Sequence, residues 1–396
     1  MMNRRQAIQI FATISGMQSA LTKGQAASGA PSTEVLQVGP ERRFKSLAAV
    51  ARHARAGAVI EVDAGEYVAD VAVWEQPDLF IKSVGGRVRL LANGAAAEGK
   101  GIWVVRANNL RVEGLDFEGA AVPSRNGAGI RLDRGSLHAV DCRFLNNEMG
   151  LLTNNHPSIR LFVTRCEFAY NQRPDGHNHN LYAGQIAELR ATGCYFHHAR
   201  TGHLLKSRAA INQIFYNRLS DEAGGTASYE LEFPNGGVAT VVGNIIEQGP
   251  QTDNPYLVRF GAEQLKWNRN EIYLAHNTLI DGLPGGGYFL GVIAGTTEVL
   301  AVNNLLLGSG RIETVGVGRL INNPQVSRDA FEQSTPDDYR LKPGSGLIGK
   351  AVAPVQVLGV DLALQAEYVH PRAIQPLRSI PHNPGAVQRV ATVARP

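Results

Sequence analysis

The chain has 396 residues, 43 of them glycine, with 19% charged residues and a formal net charge of +4. High glycine with ordinary apolar content argues against a helical chain and for a turn-rich β fold of one large or two small domains. Arg4, Arg5 and Lys23 supply three of the four excess charges and no basic run interleaved with aromatics follows, so a nucleic-acid partner is not expected.

Residues 1–30 read as an export signal. Arg4-Arg5 precede an apolar run from Ala7 to Leu21, and the small residues Ala26, Ala27, Ser28 and Ala30 follow. Asn3-Arg-Arg-Gln-Ala-Ile is similar to a twin-arginine signal, with an ordinary secretory signal as the alternative. A periplasmic or secreted mature protein is expected, without membrane attachment after cleavage. Residues 41–66 predict an amphipathic capping helix followed by a first strand, as the open end of a solenoid requires.

A short signature then recurs: Asp116-Phe, Cys142-Arg-Phe, Cys166-Glu-Phe, Cys194-Tyr-Phe, Asn217-Arg-Leu, Asn244-Ile-Ile, Asn277-Thr-Leu and Asn304-Leu-Leu. From Cys142 onward the steps are 24, 28, 23, 27, 33 and 27 residues. A variable period in the twenties predicts a β-solenoid with insertions on one side. In stacked coils equivalent side chains sit about 4.8 Å apart, so Asn217, Asn244, Asn277 and Asn304 are predicted to form an inward amide ladder. Cys142, Cys166 and Cys194 continue that column as buried, reduced thiols rather than a disulfide framework. Asp337-Asp-Tyr-Arg-Leu-Lys is expected to close the repeats, leaving 31–350 as one β-helix domain. The tail 351–396 packs along it or trails from it.

This pattern resembles the right-handed parallel β-helix of the pectate-lyase-like superfamily over about residues 35–350. The resemblance implies an all-β fold and a carbohydrate-active protein, but no one reaction. It also implies that the strand after each variable loop lines the substrate groove. Those strands are Asn180-Leu-Tyr-Ala, His203-Leu-Leu-Lys-Ser-Arg, Tyr229-Glu-Leu-Glu-Phe and Tyr256-Leu-Val-Arg-Phe. Alternation places Leu181, Leu205, Leu231 and Val258 inside. Asn180, Tyr182, Lys206, Arg208, Glu230, Glu232 and Arg259 are then expected outside.

Such a column suits β-elimination on a uronic-acid polymer, or C5 epimerisation by the same residues. Lys206 is the candidate base, Tyr182 the candidate acid or base, and Arg208 or Arg259 the candidate partners of the substrate carboxylate. His179 and His203 are further candidates for proton transfer. Asn180, Glu230, Glu232 and His177 are candidate substrate contacts. Glu230, Glu232 and Asn180 also form a candidate calcium donor set. Gly202-His-Leu-Leu-Lys-Ser-Arg is similar to the lysine-bearing strand of polysaccharide lyase family six, which implies Lys206 as base; Glu232 stands where that resemblance implies an arginine. The second reading is a glycoside hydrolase using Glu230 and Glu232. The third is a non-catalytic carbohydrate-binding β-helix with Tyr182, Tyr229, Tyr256, Trp267 and Tyr288 as platforms. A polysaccharide is the expected partner in each reading, and the chain is expected to be a monomer.

Overall fold

The computed structural model describes residues 34–173, 175–332, 337–353 and 355–390. The expected export signal lies outside them. Among the described residues, no helix is long and apolar enough to cross a membrane.

The chain winds into a right-handed parallel β-helix of about ten coils. Each coil contributes three strands. The first face is a ten-stranded parallel sheet from Ala72–Trp74 to Arg311–Glu313, and it includes Leu181–Ala183, His203–Ser207, Tyr229–Phe233 and Tyr256–Phe260. The second and third faces join in one 21-stranded sheet, because the early strands Val59–Val68 and Phe80–Leu91 run unbroken around the bend between them.

Later coils turn that bend on one left-handed residue. Asp141, Arg165, Gly193, Tyr216, Gly243, His276 and Asn303 all have φ between +48° and +68°. Each immediately precedes a member of the Cys/Asn column, so the turn aims that next side chain inward. Asn244 Oδ1 accepts from the Asn217 backbone N–H at 2.8 Å and from Asn217 Nδ2 at 2.9 Å. Its Nδ2 donates to Ile214 O at 2.8 Å and to Asn277 Oδ1 at 3.0 Å. The pattern repeats through Asn277 and Asn304 to Asn323. At the other end Cys194 N–H donates to Asn217 Oδ1 at 2.8 Å, and the three cysteines are buried and free. Above them Phe117, Phe144, Phe168 and Phe196 stack nearly parallel at 5.2, 4.7 and 4.8 Å.

Burial pushes the Cys142 and Cys166 thiols far up. Since the thiolate is the reactive form, these cysteines are expected to resist a thiol reagent in the native protein. Full labelling only after denaturation would confirm this; rapid native labelling would place a thiol outside the core.

The capping helix is shorter than the sequence suggests, Leu47–Ala51. Ser46 caps it, and the Asp70 carboxylate accepts from Leu47 N–H at 2.5 Å and Ala48 N–H at 2.8 Å. Leu47 and Val50 are buried within the main core. Tyr339 and Leu341 pack with Tyr368 and Val387 over the outward side of Ile245, Ile280 and Leu305. Leu362 and Leu364 cover Val242, Tyr273 and Val302. The tail therefore runs back along the outside, as far as an Arg372–Asp141 ion pair at 3.2 Å.

Candidate active site

Register alone assembles the outward column. Tyr182 pairs with Lys206, Lys206 with Glu232, and Glu232 with Arg259 on four successive strands of the first face. Leu181, Leu205, Leu231 and Val258 are all fully buried beneath it.

Lys206 Nζ lies 3.2 Å from Glu232 Oε2 and donates to Glu263 Oε1 at 2.9 Å. Arg208 Nε donates to the Tyr182 hydroxyl oxygen at 2.8 Å, its Nη1 to Asn235 Oδ1 at 2.9 Å, and its Nη2 sits 2.6 Å from Glu263 Oε2. The Tyr182 oxygen thus accepts, and no acceptor for its own proton stands among the described residues. Arg259 lies over the Tyr256 ring at 4.3 Å, and its Nη1 is buried with no hydrogen-bond acceptor among the described residues, Glu313 being 3.9 Å away.

Glu232 is buried, and burial raises its carboxyl despite the nearby Lys206, Arg208 and Arg259. His203 Nε2 approaches Glu232 Oε2 at 2.8 Å. Neither atom has a hydrogen-bond partner of good geometry among the described residues. Burial, with the Lys206 charge behind it, holds His203 well below its usual range, and burial does the same to His179. His179 Nδ1 accepts the backbone N–H of His203 at 3.0 Å, which places the proton of this neutral ring on Nε2. His177 is exposed on the preceding loop.

Two expected orientations are corrected. Asn180 is not outward: it is fully buried and extends a second amide ladder, accepting from Asn171 Nδ2 at 2.8 Å and donating to His197 O at 2.8 Å. Glu230 is likewise fully buried, with neither carboxylate oxygen hydrogen-bonded. Strict alternation fails here because residues 180, 204, 230, 257 and 289 all lie buried beside the column of Leu181 and Leu205, at the corner where each strand begins. Glu230 therefore shares neither a metal set nor a hydrolytic pair with outward Glu232. The expected calcium donors do not converge, and no cluster of three His, Cys, Asp or Glu suited to a metal occurs among the described residues.

Glu230 instead faces buried acids. Burial and then Asp221 raise its carboxyl, and burial pushes Asp221 up to about 7. A carboxyl raised in the folded state stabilises at low pH, and that stability is lost as pH rises through the folded value. The contribution of Asp221 to stability should therefore fall between about pH 4, the usual carboxyl value, and about 7. Asp221→Asn should melt several degrees above wild type at pH 8, with a smaller gap at pH 5. An equal gap at both pH values would contradict this assignment.

Glu263 and Asn235 are site residues that the sequence reading missed. The variable loops of the repeat precede the first-face strands, whereas Glu263 sits after one, in the ten residues between Tyr256–Phe260 and Glu271–Ala275. The length of that gap was the available signal. The loop is anchored by Glu263 N–H to Pro234 O at 3.0 Å, Lys266 N–H to Asn235 O at 3.0 Å, and Trp267 Nε1 to Arg208 O at 3.0 Å. Trp267 thus ties the loop to Arg208, and Tyr256 and Tyr288 stack on each other at 4.4 Å.

Comparison with solved structures places the coil in context. Pectate lyase Pel9A superposes with a TM-score of 0.59 at 13% identity, over 91% of this chain and 98% of that one. A pectin methylesterase from Aspergillus niger gives a TM-score of 0.36 at 12% identity over 83% and 94%, and a Geobacillus virus E2 protein, ORF18, gives 0.40 at 12% over 68% and 53%. No family model matches the chain, and no curated protein matches it. The likeness to Pel9A is one of fold, the right-handed parallel β-helix.

Proposed function

We propose that the first-face patch abstracts a proton beside a carboxylate in a uronic-acid-containing polysaccharide, as a polysaccharide lyase or a C5 epimerase. The observation that carries this reading is the cation set: Lys206, Arg208 and Arg259 on one outward face, with a buried Arg259 nitrogen lacking any acceptor among the described residues. A buried unsatisfied guanidinium is costly, and a substrate carboxylate would satisfy it. Pel9A is named a pectate lyase, and an exported polysaccharide-degrading protein is consistent with the expected N-terminal signal.

In elimination, the Lys206 amine takes the C5 proton, the C–H electrons form the C4–C5 double bond, and the C4–O bond breaks. The Tyr182 hydroxyl, whose proton is free, gives it to the leaving oxygen. Lys206 must first shed a proton. Glu232 is placed to receive it at 3.2 Å, because burial already favours its protonated form. Arg208 and Arg259 hold the carboxylate as charge develops beside it. In epimerisation the same base acts, and a proton returns to the opposite face of C5.

The test is incubation with a panel of acidic and neutral polysaccharides followed by mass spectrometry. A product one water lighter than the hydrolytic fragment identifies a lyase, and unchanged mass with altered configuration identifies an epimerase. Hydrolytic fragments, or no altered polymer, would overturn the proposal.

A further inference from the structure

We propose that Glu263 is an internal ligand that occupies the substrate carboxylate's place between Lys206 and Arg208, making this pair a gated carboxylate subsite. Its two oxygens reach one cation each, Lys206 Nζ at 2.9 Å and Arg208 Nη2 at 2.6 Å. That is the bridging contact a sugar carboxylate would make. The inference rests on the reading of the patch as a uronate site and adds what closes it.

Exposure shows which partner is replaceable. The Lys206 and Arg208 side chains are 11% and 15% exposed, whereas Glu263 is 43% exposed. The anion is therefore the outer member, lying over two largely buried cations. The loop backbone is fixed at Glu263, Lys266 and Trp267, and Asn235 Nδ2 donates to Gln264 O at 3.0 Å. The proposed exchange needs only rotation of the Glu263 side chain, the loop backbone staying anchored. Burial works to raise the Glu263 carboxyl, but the hydrogen bonds from Lys206 and Arg208 outweigh it and hold it below its usual range.

The arrangement sets specificity by exchange. An arriving carboxylate replaces one anion with another and leaves both cations paired. A neutral sugar that displaced Glu263 would leave Arg208 desolvated without a counter-ion and Lys206 with Glu232 alone, which is unfavourable. The site thus admits acidic sugars and rejects neutral ones by a repulsive device. Exchange also removes Glu263 from Lys206, leaving Glu232 as the one protein carboxylate within reach to accept its proton. A tethered competitor acts at an effective concentration in the millimolar range, so it lowers the apparent affinity for small uronates.

Isothermal titration of the full chain with sodium galacturonate, glucuronate and mannuronate, with glucose as the neutral control, tests this. Glu263→Gln keeps the side-chain length and removes the charge. It is expected to bind at least one uronate about tenfold tighter than wild type or better, and the gain should vanish in the Arg208→Met/Glu263→Gln double variant. No gain in the folded single variant would overturn the proposal, as would a gain that survives in the double variant. Failure of the proposed reaction reads differently. Tighter uronate binding without any elimination or epimerisation leaves the subsite standing and removes the reaction. Turnover by wild type without tighter binding by Glu263→Gln leaves the reaction and removes the internal ligand.

Discussion

Lys206→Ala is expected to lower turnover of an oligouronate by about 10²–10⁴-fold, the range for losing a positioned base. The loss should appear chiefly in kcat, because Arg208 and Arg259 remain to hold the carboxylate, with a smaller rise in KM from the lost Lys206 contact. Buried Glu232 loses its ammonium neighbour but is already raised by burial, so it takes up a proton and the coil stays folded; an unchanged circular dichroism spectrum checks this. Lys206→Arg separates the base from the ion pair. It keeps a cation between Glu232 and Glu263, yet a guanidinium does not give up its proton. This variant should be as inactive as the alanine one. Substantial activity in Lys206→Arg would reduce Lys206 to an electrostatic role and move the base to Tyr182.

Asn244→Ala is expected to be among the most destabilising single substitutions in the coil, by about 3–5 kcal/mol. It removes the acceptor for the Asn217 backbone N–H and Nδ2, and the donor to Ile214 O and Asn277 Oδ1. Each buried polar group left without a partner costs about 1–3 kcal/mol, and the small cavity adds to that. Urea denaturation with an unchanged slope should report this loss. A change below about 1 kcal/mol would mean that the ladder is a consequence of the coil rather than a determinant of it.

The fold was legible because it is written once per coil. The spacing of Cys142, Cys166, Cys194 and Asn217 set the register of the third strand, and that register sets every other column by stacking. The Tyr182–Lys206–Glu232–Arg259 alignment follows from it. Orientation within a coil was less legible. Period-two alternation holds inside a strand but breaks at a corner, where two consecutive residues can both turn inward. Glu230 and Asn180 sit at that break, so both were placed on the wrong side. Glu263 could not be found from strand pattern at all, because its position depends on how a ten-residue insertion folds back over Arg208. The outward apolar residues Ile245, Ile280 and Val242 belong to the same class. They are intelligible only once the tail is seen to cover them.

Proton abstraction at C5 is shared by elimination and epimerisation and absent from hydrolysis. The direct measurement is incubation of the wild type with oligouronates in D2O, following the C5 position by NMR. The account predicts loss of the C5 proton, either into an unsaturated product or by exchange for deuterium, and no loss with Lys206→Ala. Cleavage of the chain with the C5 proton retained would contradict it.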